Sequence, residues 1–272
     1  MTLLITALAA AGVAILATVA VERLGGRYGG VLATLPTTIL PASWGFAIAA
    51  ADVPIESLAA VPLGMLVDAG FLWCWRVFPP HLPKWSMALR LSVMIGISLC
   101  VWGTIAVGLI GGLSLISFPP LTLAICAMTA HVLLGVAMTW RPIHAPRGTR
   151  RVRPTTLLAR GTLAGLAIAA AVQIAHSGLP MAAGIFSVFP AIFLTTMVSL
   201  WWSQGEAVPL GAVGPIIMGS TAVSAYALLA IFTFPMAGLF FGTILAWVGA
   251  VLMCSVPTAA WLNNRAHRTS QP

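Results

Sequence analysis

The sequence predicts an all-α, polytopic membrane protein, and three observations predict it. Of 272 residues, 60% are hydrophobic and only 7% are charged, against about a quarter charged in a typical soluble domain. Mean hydropathy is correspondingly high, at +1.04. The apolar residues also fall in runs of about 20, the length that spans a hydrocarbon core. In lipid every backbone polar group must be satisfied internally, so runs of this kind are helical.

Nine spans follow along the chain, at residues 3–21, 30–50, 55–77, 87–110, 118–140, 157–175, 181–202, 209–232 and 234–261. The first opens Met1-Thr2-Leu3-Leu4 with no early Lys or Arg, so it reads as a retained span rather than a signal peptide. The second follows the Gly25-Gly26 and Gly29-Gly30 pairs and holds Pro36 and Pro41. The third carries Asp68, and the fifth carries His131. The fifth then leads into the densest basic cluster, Arg141, His144, Arg147, Arg150, Arg151 and Arg153. The seventh contains Pro190 and the eighth contains Pro215.

The formal charge of +8 would suggest nucleic acid in a soluble chain. Here topology explains it. If the dense basic loop is cytoplasmic, counting spans outward places all 13 Lys and Arg residues on that side, with Asp52 and Glu56 opposite. An odd number of spans then puts the N-terminus outside and the C-terminus in the cytoplasm of a bacterial-type inner membrane. No nucleic-acid partner is expected. Cys74, Cys100, Cys126 and Cys254 lie in apolar spans without a CxxC pair or a nearby His at ligand spacing, so they read as small buried hydrophobes, with no metal and no cofactor expected.

An internal repeat organises the chain. Gly30-Val31-Leu32-Ala33-Thr34-Leu35-Pro36 aligns with Gly184-Ile185-Phe186-Ser187-Val188-Phe189-Pro190, and the alignment continues from Asp52 to Glu206 and, one residue slipped, from Pro62 to Pro215. Residues 1–113 form one four-helix repeat, 114–154 a linker helix with its basic loop, and 155–272 a second repeat. Because the linker is a single span, the copies are inverted.

The stretch from Ala183 to Pro190, followed by Ser203-Gln204-Gly205-Glu206 and a Pro-bearing helix, resembles the small four-helix inner-membrane proteins of the GlpM-like kind. Gly29-Gly30-Val31-Leu32-Ala33-Thr34-Leu35-Pro36 fits the same pattern more loosely. The resemblance implies a tandem, inverted fusion of two such units, and it supplies architecture rather than an activity. Pro41 and Asp68 have Thr195 and Thr221 opposite them in the second copy, so the halves differ chemically.

Inverted repeats with interrupted helices are characteristic of secondary transporters, which bind substrate near the midplane where helices break. Pro36 frees the carbonyl of Leu32, Pro41 that of Thr37, and Pro190 that of Phe186. Thr34, Thr37, Thr38 and Ser43 in one copy, with Ser187, Thr195 and Thr196 in the other, are placed to satisfy them and to line a substrate site with Pro36 and Pro190. Plain packing kinks are the alternative.

Asp68 is the one acid deep in a span, at about 2.5 to 3.5 kcal/mol on insertion scales, with Gly64 a turn before it. His131 lies at similar depth in the fifth span. Together they are candidate proton-coupling groups; a structural hydrogen bond for each is the other reading. Trp44, Trp102, Gln173 and Tyr226 are possible lining. Glu22, Arg23 and Arg27 beside the glycine pairs form a weak anion-site pattern. The Gly108/Gly112, Gly161/Gly165 and Gly238/Gly242 pairs either pack the repeats or form a homodimer.

No HExxH, Asp-rich metal motif or paired-Asp dyad is present, so an enzyme is not expected. The sequence therefore points to a secondary transporter or exporter of a small molecule or ion in contact with membrane lipids. The alternatives are a non-transporting component of envelope or polysaccharide biogenesis, or a lipid translocase.

Overall fold

The computed structural model describes residues 2–24, 35–49, 55–115, 118–140 and 154–269. Among them the chain is all-α, without strands. The helices are α1 (Thr2–Leu24), α2 (Leu40–Ala49), α3 (Ile55–Val77), α4 (Met87–Ser114), α5 (Pro120–Trp140), α6 (Pro154–His176), α7 (Pro180–Ser187), α8 (Ala191–Gln204), α9 (Ala207–Ala250) and α10 (Val256–Thr269). A π turn, Val251–Ser255, joins the last two. Proline opens α5, α6 and α7, where its fixed φ suits a first helical turn and its missing N–H costs nothing. Ser86 caps α4 by accepting from Leu89 N.

Six helical stretches of the described residues are long and apolar enough to cross a membrane. Trp73, Leu133, Leu166, Phe240, Phe241 and Leu252 face outward at half or more of their full exposure, which suits lipid and not water. The chain is thus a multi-pass membrane protein.

The stretch 207–265 is 59 residues long and would extend about 88 Å if straight, far beyond a bilayer. It reverses instead. Gly238 sits at φ 71°, ψ 175°, a conformation essentially reserved for glycine. Beyond it the chain returns on itself: Thr233 Oγ1 donates to Gly242 O at 2.8 Å, and a Cβ on Gly249 would lie 2.8 Å from Leu229. The sequence placed this turn at residue 233, just before Pro235. Proline cannot adopt positive φ, so the reversal moves on to Gly238.

α3 is the axial helix, with 83% of its apolar window buried; α4, α5, α7 and α9 pack around it. Two reciprocal glycine contacts bring helix backbones close together. A Cβ on Gly184 of α7 would collide with Ser57 O of α3, and one on Gly64 of α3 would lie 2.9 Å from Ile185 O. Likewise a Cβ on Gly135 of α5 would lie 2.9 Å from Met218 Cα of α9, and one on Gly214 of α9 2.9 Å from Met138 O. Without a hydrophobic drive between helices in lipid, such backbone proximity is what packs them.

The three Gly-x-x-x-Gly pairs have three different places. Gly161 and Gly165 seat α6 against Ala11 and Ala7 of α1, Gly238 and Gly242 make the reversal, and Gly108 and Gly112 meet nothing within 4 Å.

Charged and aromatic groups tie one end of the bundle together. Arg90 Nη2 pairs with Glu206 Oε2 at 2.9 Å and donates to Pro79 O. Arg76 Nη1 donates to Met138 O at 3.0 Å. Arg265 lies over Trp140 and Trp261, 4.1 and 4.4 Å from their centroids. Glu56 lies in the first turn of α3, the opposite end from Arg76.

Candidate functional site

The break predicted at Pro190 is present. Helix α7 stops at Ser187 and α8 starts at Ala191, with Val188, Phe189 and Pro190 between them. Pro190 has no N–H to return to Phe186 O, so the N–H groups of Val188 and Phe189 take that acceptor instead. The hydroxyls assigned to this task are engaged elsewhere: Ser187 Oγ donates to Gly184 O at 2.7 Å and Thr195 Oγ1 to Ala191 O at 2.8 Å. Compact backbone turns satisfy freed carbonyls more cheaply than side chains that must first be immobilised.

Pro36 is buried in a second non-helical stretch, residues 35–39, that precedes α2. Thr37 and Thr38 are half-buried there, and Leu40 N approaches Thr37 O at 3.4 Å. Thr34, Glu22, Arg23, Arg27 and the Gly25–Gly30 pairs concern residues whose side chains or backbone lie outside the described residues. Ser43 donates to Leu40 O at 2.9 Å, so it accepts from Tyr226 Oη at 2.8 Å. Next to it Trp44 Nε1 donates to Thr243 Oγ1 at 2.8 Å. The region after the first break is thereby fastened to α9.

Asp68 belongs to the break at Pro190. It lies 13 residues beyond Ile55, about 20 Å into the helix, and is 1% exposed. Its Oδ1 accepts from Trp102 Nε1 of α4 at 2.7 Å. Trp102 meets Phe186 and Phe189 edge to face, with centroids 5.4 and 5.1 Å away; the first lies just before the break and the second within it. One turn before Asp68, Gly64 lets Ile185 O and Val188 approach α3. The carboxyl, the indole and the interrupted helix are therefore one cluster. Oδ2 is buried with no hydrogen-bond partner, although such a group ordinarily has one.

His131 is fully buried, but it stands apart from Asp68. Ser220 Oγ donates to Ile217 O at 3.0 Å, so it accepts from His131 Nε2, 3.2 Å away. No hydrogen bond joins His131 to Asp68 among the described residues, and the arrangement supplies no direct relay between them. Gln173 faces outward and lines nothing.

Arg160 is the polar group whose partners the sequence does not name. It is 7% exposed, with Nε 3.1 Å from Thr195 Oγ1 and Nη2 2.9 Å from Thr196 Oγ1. Thr195 and Thr196 thus hold a guanidinium between α6 and α8. The signal was its place six residues past Pro154, already a turn and a half into a helix.

No family model matches the chain, and no curated protein or solved structure is found similar to it, so the GlpM-like resemblance gains no support from them.

Replacing Pro190 restores an N–H that can reach Phe186 O. Pro190→Ala is expected to extend α7 into α8, pull Phe189 off Trp102, and change tryptophan emission while the protein still folds; unchanged emission would show that the break does not depend on this proline.

Proposed function

We propose that this protein is a secondary transporter or exporter of a small solute, coupled to protons through Asp68. The observation that carries the reading is a membrane-buried carboxyl with an unpartnered oxygen, set on the axial helix beside an interrupted one. Intramembrane acids are expensive and mark ion or substrate paths, and broken helices near mid-depth are where such proteins bind.

The proposed architecture is nine spans in two inverted four-helix repeats. Support comes from the non-helical stretch that holds the aligned proline in each copy, from the packing of α5 against both α3 and α9, and from the reversal at Gly238. Arg76, Arg90 and Arg265 gathered at one end support a cytoplasmic C-terminus and an outside N-terminus.

A second reading, a membrane component that binds a partner without transport, draws on the near-complete burial of Asp68. One experiment separates the two. Protein in sealed liposomes with an acidic interior and an internal pH dye is challenged with a panel of neutral, anionic and cationic metabolites. A transporter discharges the gradient for one solute class and accumulates that solute. A folded protein that discharges it for none has the partner-binding role.

A further inference from the structure

Resting on the transporter reading, the geometry points to the class of solute: we infer that the cluster of Asp68, Trp102, Phe186 and Phe189 is a site for an organic ammonium, which displaces the proton of Asp68. An ionised carboxylate shut among apolar side chains needs a positive partner. Among the described residues it has one polar contact, the Trp102 N–H, and Oδ2 has none.

The surroundings choose between kinds of cation. A hard metal ion asks for six or more oxygen ligands, whereas the one polar contact of Asp68 among the described residues is an indole N–H, and no group of three His, Cys, Asp or Glu occurs among them. An alkylated ammonium asks for one negative charge and aromatic faces within about 6 Å. Trp102, whose N–H meets the carboxyl, packs edge to face against Phe186 and Phe189, 5.4 and 5.1 Å between ring centroids, so three rings gather beside the acid, next to the interruption between Ser187 and Ala191.

Exchange follows from stoichiometry. The site goes from carboxylic acid plus free ammonium to carboxylate–ammonium pair plus a proton released to water, so it holds one or the other. The other ionisable groups on α3 and the helices around it are engaged or distant. His131 is bonded to Ser220, Tyr226 to Ser43, Cys74 to Gly70 O, Arg76 to Met138 O and Arg90 to Glu206. Cys100, Cys126 and Glu56 are on exposed faces, and α7 carries no ionisable side chain. Thr221, aligned with Asp68 in the second copy, faces Cys254 instead of an indole, so a single site is expected.

The test is calorimetric titration of the purified full chain with benzyltrimethylammonium, and with its neutral isostere neopentylbenzene, at two pH values and in two buffers of different ionisation enthalpy. The expected result is one site, one proton released per cation, and affinity rising about tenfold per pH unit where the acid is protonated. Asp68→Asn should weaken binding at least about tenfold, the size of one lost charge-assisted contact; Asp68→Glu should retain it, and Trp102→Leu should weaken it several-fold. Should Asp68→Asn fail to fold, the Glu and Leu variants carry the comparison. Equal binding of the neutral isostere, undiminished binding by Asp68→Asn or Trp102→Leu, or no binding at all would overturn the inference. If the cation does not bind but another solute discharges the liposome gradient, the inference falls and the transporter reading stands. If the cation binds with proton release and is not moved, the site stands and the transporter reading falls.

Discussion

An Asp68→Asn protein in liposomes is expected to show no uphill solute movement on an imposed pH gradient, a fall of at least about tenfold from wild type, while remaining folded. Asn preserves the acceptor that Trp102 Nε1 reaches at 2.7 Å, so the α3–α4 contact persists. It cannot give up a proton, and that is the property coupling requires. The stability cost is small for a specific reason. A buried unpaired donor costs about 1–3 kcal/mol, but the wild-type carboxyl already carries an unpartnered oxygen at the same place, so one unmet group replaces another. Thermal melts should therefore differ by a few degrees at most. His131→Gln, which keeps a partner for Ser220 and lies outside the Asp68 cluster, should leave the gradient dependence intact. Wild-type uphill rates in Asp68→Asn would remove the acid from the mechanism, whatever the solute.

Much of the fold was legible because membrane insertion is decided by properties local to each segment. Twenty apolar residues suffice for a span, and prolines 36 and 190 announce where backbone donors are missing. The depth of Asp68 could be counted from the end of its own helix. Its partner could not: Trp102 is 34 residues away on an antiparallel helix, and helical phase alone does not say which neighbour a face meets. For that reason the sequence offers Trp102 only as possible lining.

Arg160 shows the same limit from the other side. Counting spans gives its side of the membrane, whereas the hydroxyls of Thr195 and Thr196 make a polar niche that its own stretch of sequence does not reveal. The glycines are instructive as well. Motif spacing singles out Gly108 and Gly112, which meet nothing, beside Gly161 and Gly165, which seat α6 on α1, and it does not mark Gly64, Gly184, Gly135 and Gly214, which also bring backbones together. Close approach of two backbones needs one small residue on each helix at the crossing point, and a repeat along either helix is unnecessary.

The largest structural effect is expected at such a crossing. A Cβ on Gly184 would collide with the backbone oxygen of Ser57 and lie 2.6 Å from Ala60 Cβ; the first obstacle is main chain on the axial helix and cannot swing aside. Gly184→Leu must therefore push α7 away from α3, and overpacking of this kind costs about 1–3 kcal/mol or more. The same displacement withdraws Phe186 from Trp102 and opens Gly64 from Ile185, so solute binding should fall together with stability. Ala60→Gly removes the side-chain clash but not the backbone one, and should rescue Gly184→Ala only in part. Gly96→Ala on α4, which meets nothing within 4 Å, should be neutral or slightly stabilising because alanine is the better helix former by about 1 kcal/mol. Thermal unfolding of Gly184→Leu, of Gly184→Ala with and without Ala60→Gly, and of Gly96→Ala in one detergent decides the matter. A Gly184→Leu protein that melts with Gly96→Ala would mean that α3 and α7 do not meet at Ser57, and the cluster around Asp68 would lose its frame.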